Sequence, residues 1–127
     1  EAVAALRTLA RGRIFLGGHS YGGRQATLLA AEDPRVADAL LLFSYPLHPP
    51  NQPAKLRTAH FPLLSTRAMF VHGAKDAFGS PEEMRTALLL PPVPTSLIIL
   101  DRAGHDLLRG KFDMASVLVA PFLDFVK

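Results

Sequence analysis

Four short apolar runs mark the chain, at 14–16, 39–43, 68–71 and 97–100. None alternates with polar residues, which is the pattern of parallel strands covered on both faces. Between most of them lie stretches with helical character. Residues 2–11 read as a helix leading into the first strand. A second helix runs from Gly23 to Ala31, is continued by Ala26, Leu28, Leu29 and Ala30, and ends at Asp33-Pro34. Ser80-Pro81-Glu82-Glu83 is a helix start: Ser80 caps it, Pro81 takes the first helical position and Glu83 completes a capping box. That helix should run to about Leu90, where Pro91-Pro92 stops it. A last helix is expected over 111–126, with Phe112, Leu118, Phe122 and Phe125 as its apolar contacts and Pro121 kinking or interrupting it. Strands alternating with helices predict a doubly wound α/β sheet with right-handed crossovers.

The segment 44–66 breaks the pattern. It carries Pro46, Pro49, Pro50, Pro53 and Pro62 with little periodicity, apart from room for a short helix near Ala54 to Thr58. About twenty residues can make a rim over a site but not a large cap, so a fairly open site is expected.

Composition narrows the classes. With 127 residues and 49% hydrophobic positions, the chain has one domain's worth of sequence and enough apolar surface to bury a core. It has no cysteine, so disulfides, thiolate metal sites and a cysteine nucleophile are excluded. No unbroken apolar stretch approaches the roughly 20 residues that span a bilayer. The net charge of +3 comes from Arg and Lys scattered between Arg7 and Lys127 without a run, which reads as solvated surface and not as a nucleic-acid face. The helix-like opening, Glu1-Ala2-Val3-Ala4-Ala5-Leu6, has neither initiator Met nor secretory signal.

The chemistry begins at Gly18-His19-Ser20-Tyr21-Gly22, a Gly-x-Ser-x-Gly pentapeptide that follows the run Ile14-Phe15-Leu16 and precedes the second helix. Such a strand-to-helix turn lifts one hydroxyl clear of the backbone, and glycines on either side tolerate its angles and crowding. Ser20 is a candidate nucleophile. The plainer readings are a turn serine or a phosphate loop; Gly18 to Gly23 has the loop's spacing, but Arg24 and Gln25 stand where it needs Lys and Ser or Thr. Two further residues favour the nucleophile. Asp76 follows the run Ala68-Met69-Phe70-Val71, and His105 follows Leu97-Ile98-Ile99-Leu100, both at strand ends. Ser, then Asp, then His is the triad order of α/β-hydrolases, and other serine-hydrolase folds use different orders. Asp101 and Asp106 are rival acids, one at the wrong strand and the other adjacent to the His. His60 and His72, like His48, lack metal-ligand spacing and read as loop or strand-end residues.

Taken together, Gly17-Gly18-His19-Ser20-Tyr21-Gly22-Gly23, Leu42 to Pro49, Phe70-Val71-His72-Gly73 through Asp76, and Gly104-His105-Asp106 resemble the C-terminal half of an α/β-hydrolase of the dienelactone-hydrolase-like branch. Within that branch the resemblance is to bacterial relatives of the testis-expressed and chromatin-complex α/β-hydrolase-like proteins. It implies one partial α/β-hydrolase domain over 1–127, with the four strands as the fifth to eighth of the fold. It also implies a serine hydrolase of an ester or related acyl substrate, using Ser20, Asp76 and His105, with the Tyr21 backbone N–H as oxyanion donor. His19, Tyr45 and His48 are the expected substrate-binding residues. No metal or organic cofactor is called for, and neither nucleic acid nor membrane is expected as a partner. The fold's second oxyanion donor lies after a strand with no counterpart here. The expectation is therefore a truncated product or a fragment, self-associating through the exposed edge of strand 14–16, with the cytoplasm as default compartment. The alternatives are a non-catalytic α/β-hydrolase-like interaction module, or a peptidase or thioesterase on the same triad.

Overall fold

The computed structural model describes residues 2–9 and 12–127. The four apolar runs form strands β1 (Phe15–His19), β2 (Ala39–Phe43), β3 (Ala68–Gly73) and β4 (Thr95–Leu100). They lie in one parallel sheet in that order, with Phe15 opposite Ala39, Leu40 opposite Ala68 and Ala68 opposite Thr95. β3 is buried along its whole length, which explains why its sequence shows no polar alternation. Its side chains still alternate in direction: Ala68 and Phe70 join the core on one face of the sheet, Met69 and Val71 the cores on the other. Each large apolar side chain buried in this way contributes about 1.5–3 kcal/mol.

The helices are α1 (Ala2–Leu9), α2 (Tyr21–Glu32), α3 (Pro81–Ala87) and α4 (Ala120–Phe125). The expected extension of α1 over Ala10 and Arg11 falls outside the described residues. α2 ends where Asp33 turns extended; its side chain then accepts from the Arg35 N–H to start a short 3-10 turn, Pro34–Val36. The capping box of α3 is present in full: Glu83 N–H donates to Ser80 Oγ at 3.1 Å and Ser80 N–H to Glu83 Oε1 at 2.9 Å. α3 stops at Ala87 and not at Leu90. Beyond it Leu89 and Leu90 bond three residues back, to Thr86 and Ala87, because the residue before Pro91 is pushed out of helical geometry.

One expectation about the irregular segments is corrected. Residues 54–58 form turns and no helix; the segment's 3-10 turn is Phe61–Leu63. The segment 44–66 also packs into the core, since Tyr45, Leu47, Phe61 and Leu64 are fully buried against Phe70 and Met84. The last helix expected over 111–126 runs over 114–125, and Pro121 interrupts its regular ladder as expected: a π-helical turn at Ala115–Val119 leads into α4, and Leu107–Gly110 before it forms a left-handed turn. Pro121 explains the π turn: it has no N–H for the regular ladder, and Ala120 N–H reaches back five residues to Ala115 O. Leu118 and Phe122 from this stretch cover the second face of the sheet, and Phe122 meets Phe15 edge to face at 5.1 Å.

Candidate active site

Ser20 joins the end of β1 to the start of α2 with φ 54° and ψ −117°, a strained conformation for a residue with a side chain. The strain is held from both sides. Ser20 N–H donates to Phe43 O at 2.8 Å on β2, and Arg24 N–H donates to Ser20 O at 3.0 Å in the first turn of α2. Gly18 is required by close approach, because a Cβ there would lie 2.5 Å from Gly22 C and 2.6 Å from Gly23 N. Gly22 meets nothing within 4 Å, so of the pentapeptide's two glycines only Gly18 is demanded by crowding.

Asp76 lies in the turn after β3, its carboxylate wholly buried. One oxygen, Oδ1, accepts from Phe78 N–H at 2.8 Å; the other, Oδ2, accepts from His105 Nδ1–H at 2.8 Å. With Nδ1 donating, Nε2 of His105 is the acceptor, and Ser20 Oγ–H donates to it at 2.7 Å. The three candidate residues therefore form one hydrogen-bonded line from hydroxyl to imidazole to carboxylate. Asp101 is exposed and Asp106 caps its own turn through Leu108 N–H, so neither rival acid orients the imidazole.

The loop carrying His105 is pinned at several points. Lys75 N–H donates to Ala103 O at 2.9 Å, and this loop packs so closely on β3 that a Cβ at Gly73 would stand 2.4 Å from Ala103 O. The His105 carbonyl accepts from Ser44 Oγ–H at 2.7 Å and from His19 Nε2–H at 2.9 Å. Phe78 lies over the imidazole with ring centroids 4.3 Å apart. His72, also buried, donates from Nε2 to Gly79 O at 2.8 Å and stands 3.7 Å from Asp76 Oδ2.

A cleft of about 250 Å³ opens beside Ser20, lined by Ser20, Tyr21, Arg24, Pro46, Arg57 and Phe78. Two of the expected substrate contacts are not on it. Tyr45 is fully buried, donating its hydroxyl to Arg57 O at 2.7 Å, and burial pushes that hydroxyl's pKa up to about 12. His48 is 5% exposed and faces Glu83: Nδ1–H donates to Pro49 O at 2.8 Å and Nε2 meets the Glu83 carboxylate at 3.0 and 3.1 Å. With both ring nitrogens donating, the Pro49 carbonyl first and Glu83 next hold the imidazole pKa above its ordinary value. Both residues support the wall and neither lines it. His19 is exposed and bears on the His105 carbonyl, not on the cleft lining.

Sequence reasoning missed Arg24, Arg57, Phe78, Ser44 and Gly73. Arg24 carried a signal, since it lies four residues after Ser20 and so shares its helix face. Arg57 and Phe78 sit on irregular segments where no period places them.

Over residues 1–116 the sequence matches a family model described as an alpha/beta hydrolase domain, and the chain belongs to that family. Its four parallel strands and flanking helices are part of the α/β-hydrolase fold. Solved structures share the fold at low identity. The esterase domain of a Rhodothermus marinus protein superposes with a TM-score of 0.68 at 18% identity, over 96% of this chain and 62% of that one. An alpha-beta serine hydrolase homologue from Coxiella burnetii gives 0.61 at 16%, over 97% and 53%. An alpha/beta hydrolase enzyme from a metagenome of lagoon sediments at Mar Chica, Morocco, gives 0.70 at 16%, over 96% and 68%. The chain thus spans less than two thirds of the length of the first two.

Proposed function

We propose that the protein is a serine hydrolase of esters or related acyl compounds, with Ser20 as nucleophile, His105 as general base and acid, and Asp76 as the group that orients His105. The observation that carries this reading is the pair of short contacts at His105, 2.7 Å to Ser20 Oγ and 2.8 Å to Asp76 Oδ2. Placement in the dienelactone-hydrolase-like branch belongs to the same reading and rests on the sequence at the elbow, at 42–49, at 70–76 and at 104–106.

The steps follow from the geometry. Ser20 Oγ attacks the acyl carbon as His105 Nε2 takes its proton, and the buried Asp76 carboxylate stabilises the imidazolium that forms. The negative charge moves to the former carbonyl oxygen. The Tyr21 N–H, in the first turn of α2 where amides lack an intrahelical acceptor, is the donor placed to meet it. Collapse of the tetrahedral intermediate breaks the bond to the leaving group, which takes the proton from His105. Water then attacks the acyl-enzyme, gives a proton to His105, and releases the acid as Ser20 regains its hydrogen.

Hydrolysis of p-nitrophenyl butyrate tests the assignment. Release of p-nitrophenol should fall to the uncatalysed background in Ser20→Ala with an unchanged circular-dichroism spectrum. Equal turnover by wild type and Ser20→Ala would assign the activity elsewhere.

A further inference from the structure

The cleft beside Ser20 carries two positive charges that the mechanism above does not use. Arg24 and Arg57 both line it, and neither has a carboxylate partner among the described residues. Arg24 is the more telling of the two. It is half-buried, and its Nε is buried without any hydrogen-bond acceptor. The buried Nε fixes the side chain against the protein while the rest of the guanidinium borders the cleft, and a carboxylate or phosphate there would meet a positioned cation that no carboxylate of the described residues neutralises. Arg57 is steadied from behind: its carbonyl accepts from Tyr45 Oη–H at 2.7 Å, and its Nη1 makes a long contact to Pro46 O at 3.3 Å. The charges act over the wall they share. Burial first and the Arg24 charge second hold His60 below its ordinary pKa, while both guanidiniums oppose the upward push of burial on Tyr45.

Resting on the serine-hydrolase reading, we infer that the acyl portion of the substrate ends in an anionic group, a carboxylate or a phosphate, held by Arg24 and Arg57. Ser20 and Tyr21, which meet the reacting carbonyl, line the same cleft as the two arginines, so an anion held there stands a few bonds from that carbonyl within one cleft of about 250 Å³. Pro46 and Phe78 supply the apolar flanks against which a short methylene chain would lie.

The test compares p-nitrophenyl hemisuccinate with p-nitrophenyl butyrate, which has the same acyl chain length and no charge. The ratio of their kcat/KM values should favour the hemisuccinate by about tenfold or more in the wild type, as one charge-assisted contact implies. It should fall by about the same factor in Arg24→Gln and further in Arg24→Gln/Arg57→Gln. Inhibition of butyrate hydrolysis by succinate but not by inorganic phosphate would identify the carboxylate, and the reverse result the phosphate. A wild-type ratio at or below one, or a ratio unmoved in both variants, overturns the inference. If neither ester is hydrolysed, the serine-hydrolase reading fails first, and calorimetric titration of folded Ser20→Ala protein decides the anion site by itself. Binding of succinate or phosphate that Arg57→Gln or Arg24→Gln weakens about tenfold upholds it; no binding of either anion ends it.

Discussion

Gly73 is the position where a single methyl group should disconnect the site without touching any reacting atom. It ends β3, and a Cβ built there would stand 2.4 Å from Ala103 O, 2.5 Å from Gly104 O and 2.7 Å from Ala103 C, where ordinary contact begins near 3.4 Å. All three atoms are backbone, so no side chain can swing aside. β3 is a central, fully buried strand, and the loop after β4 must therefore give by about 1 Å. That loop carries His105, whose Nε2 is 2.7 Å from Ser20 Oγ. A displacement of that size along the contact takes it past hydrogen-bonding range, and misplacement on this scale costs about 10²-fold in rate. Overpacking should also cost about 1–3 kcal/mol of stability. Gly73→Ala is thus expected to react with a fluorophosphonate about 10²-fold more slowly than wild type, with Tm lower by about 3–10 °C. Gly22→Ala is the control, because its added methyl meets nothing within 4 Å and lies in a helix, where alanine is favoured over glycine by about 1 kcal/mol. It should label normally and melt no lower. If Gly73→Ala labels at the wild-type rate and melts unchanged, the loop is not held against β3 in the way described.

Two further outcomes follow from the same contacts. Asp76→Asn keeps the size of the side chain but removes the charge that fixes the His105 tautomer, so kcat for p-nitrophenyl butyrate should drop by about 10⁴-fold with little change in KM; a drop of less than tenfold would mean that Asp76 does not orient the imidazole. For the His48–Glu83 pair, the His48 pKa is raised and that of Glu83 is lowered, by the Ser80 N–H first and then by His48. The His48 contribution is complete below its unfolded value, about pH 6.5, and is lost as pH rises through the raised folded value; that of Glu83 is complete above about pH 4.5 and is lost as pH falls through the lowered one. Glu83→Gln preserves the capping box, so its Tm deficit against wild type should be largest between those limits and shrink by pH 8. A deficit independent of pH would show that the pair contributes no ionic stabilisation.

The strands and the start of α3 were legible because their determinants are local. Unalternated aliphatic runs mark the strands, although only the inner β3 and most of β2 are buried as that pattern predicts while the edge strands β1 and β4 are partly exposed, and the Ser80–Glu83 capping box is written within four residues. The candidate site was legible in part for the same reason. Ser20, Asp76 and His105 each follow an apolar run, and their order along the chain picked out the residues that the structure joins through His105, at 2.7 Å to Ser20 and 2.8 Å to Asp76. What was not legible depends on distant partners. Tyr45 and His48 read as rim residues on a proline-rich segment, but the wall that buries them is made by Phe61 at the far end of that segment and by Phe70 and the turn at Phe78–Ser80 beyond it. The shortfall of α3 after Ala87 and the π turn before Pro121 arise from prolines whose general effect was foreseen, though not the bond each would displace. Arg57 and Phe78 reach the cleft only through tertiary packing, which no periodicity records.

The most direct test of the account is where a fluorophosphonate attaches to the folded protein. Peptide mapping by mass spectrometry should find the phosphonyl group on Ser20 Oγ, with the rate of its formation reduced about 10³-fold or more in His105→Ala. An adduct on another residue, or a folded protein that acquires none, would contradict the claim that Ser20, His105 and Asp76 act together as a nucleophilic relay.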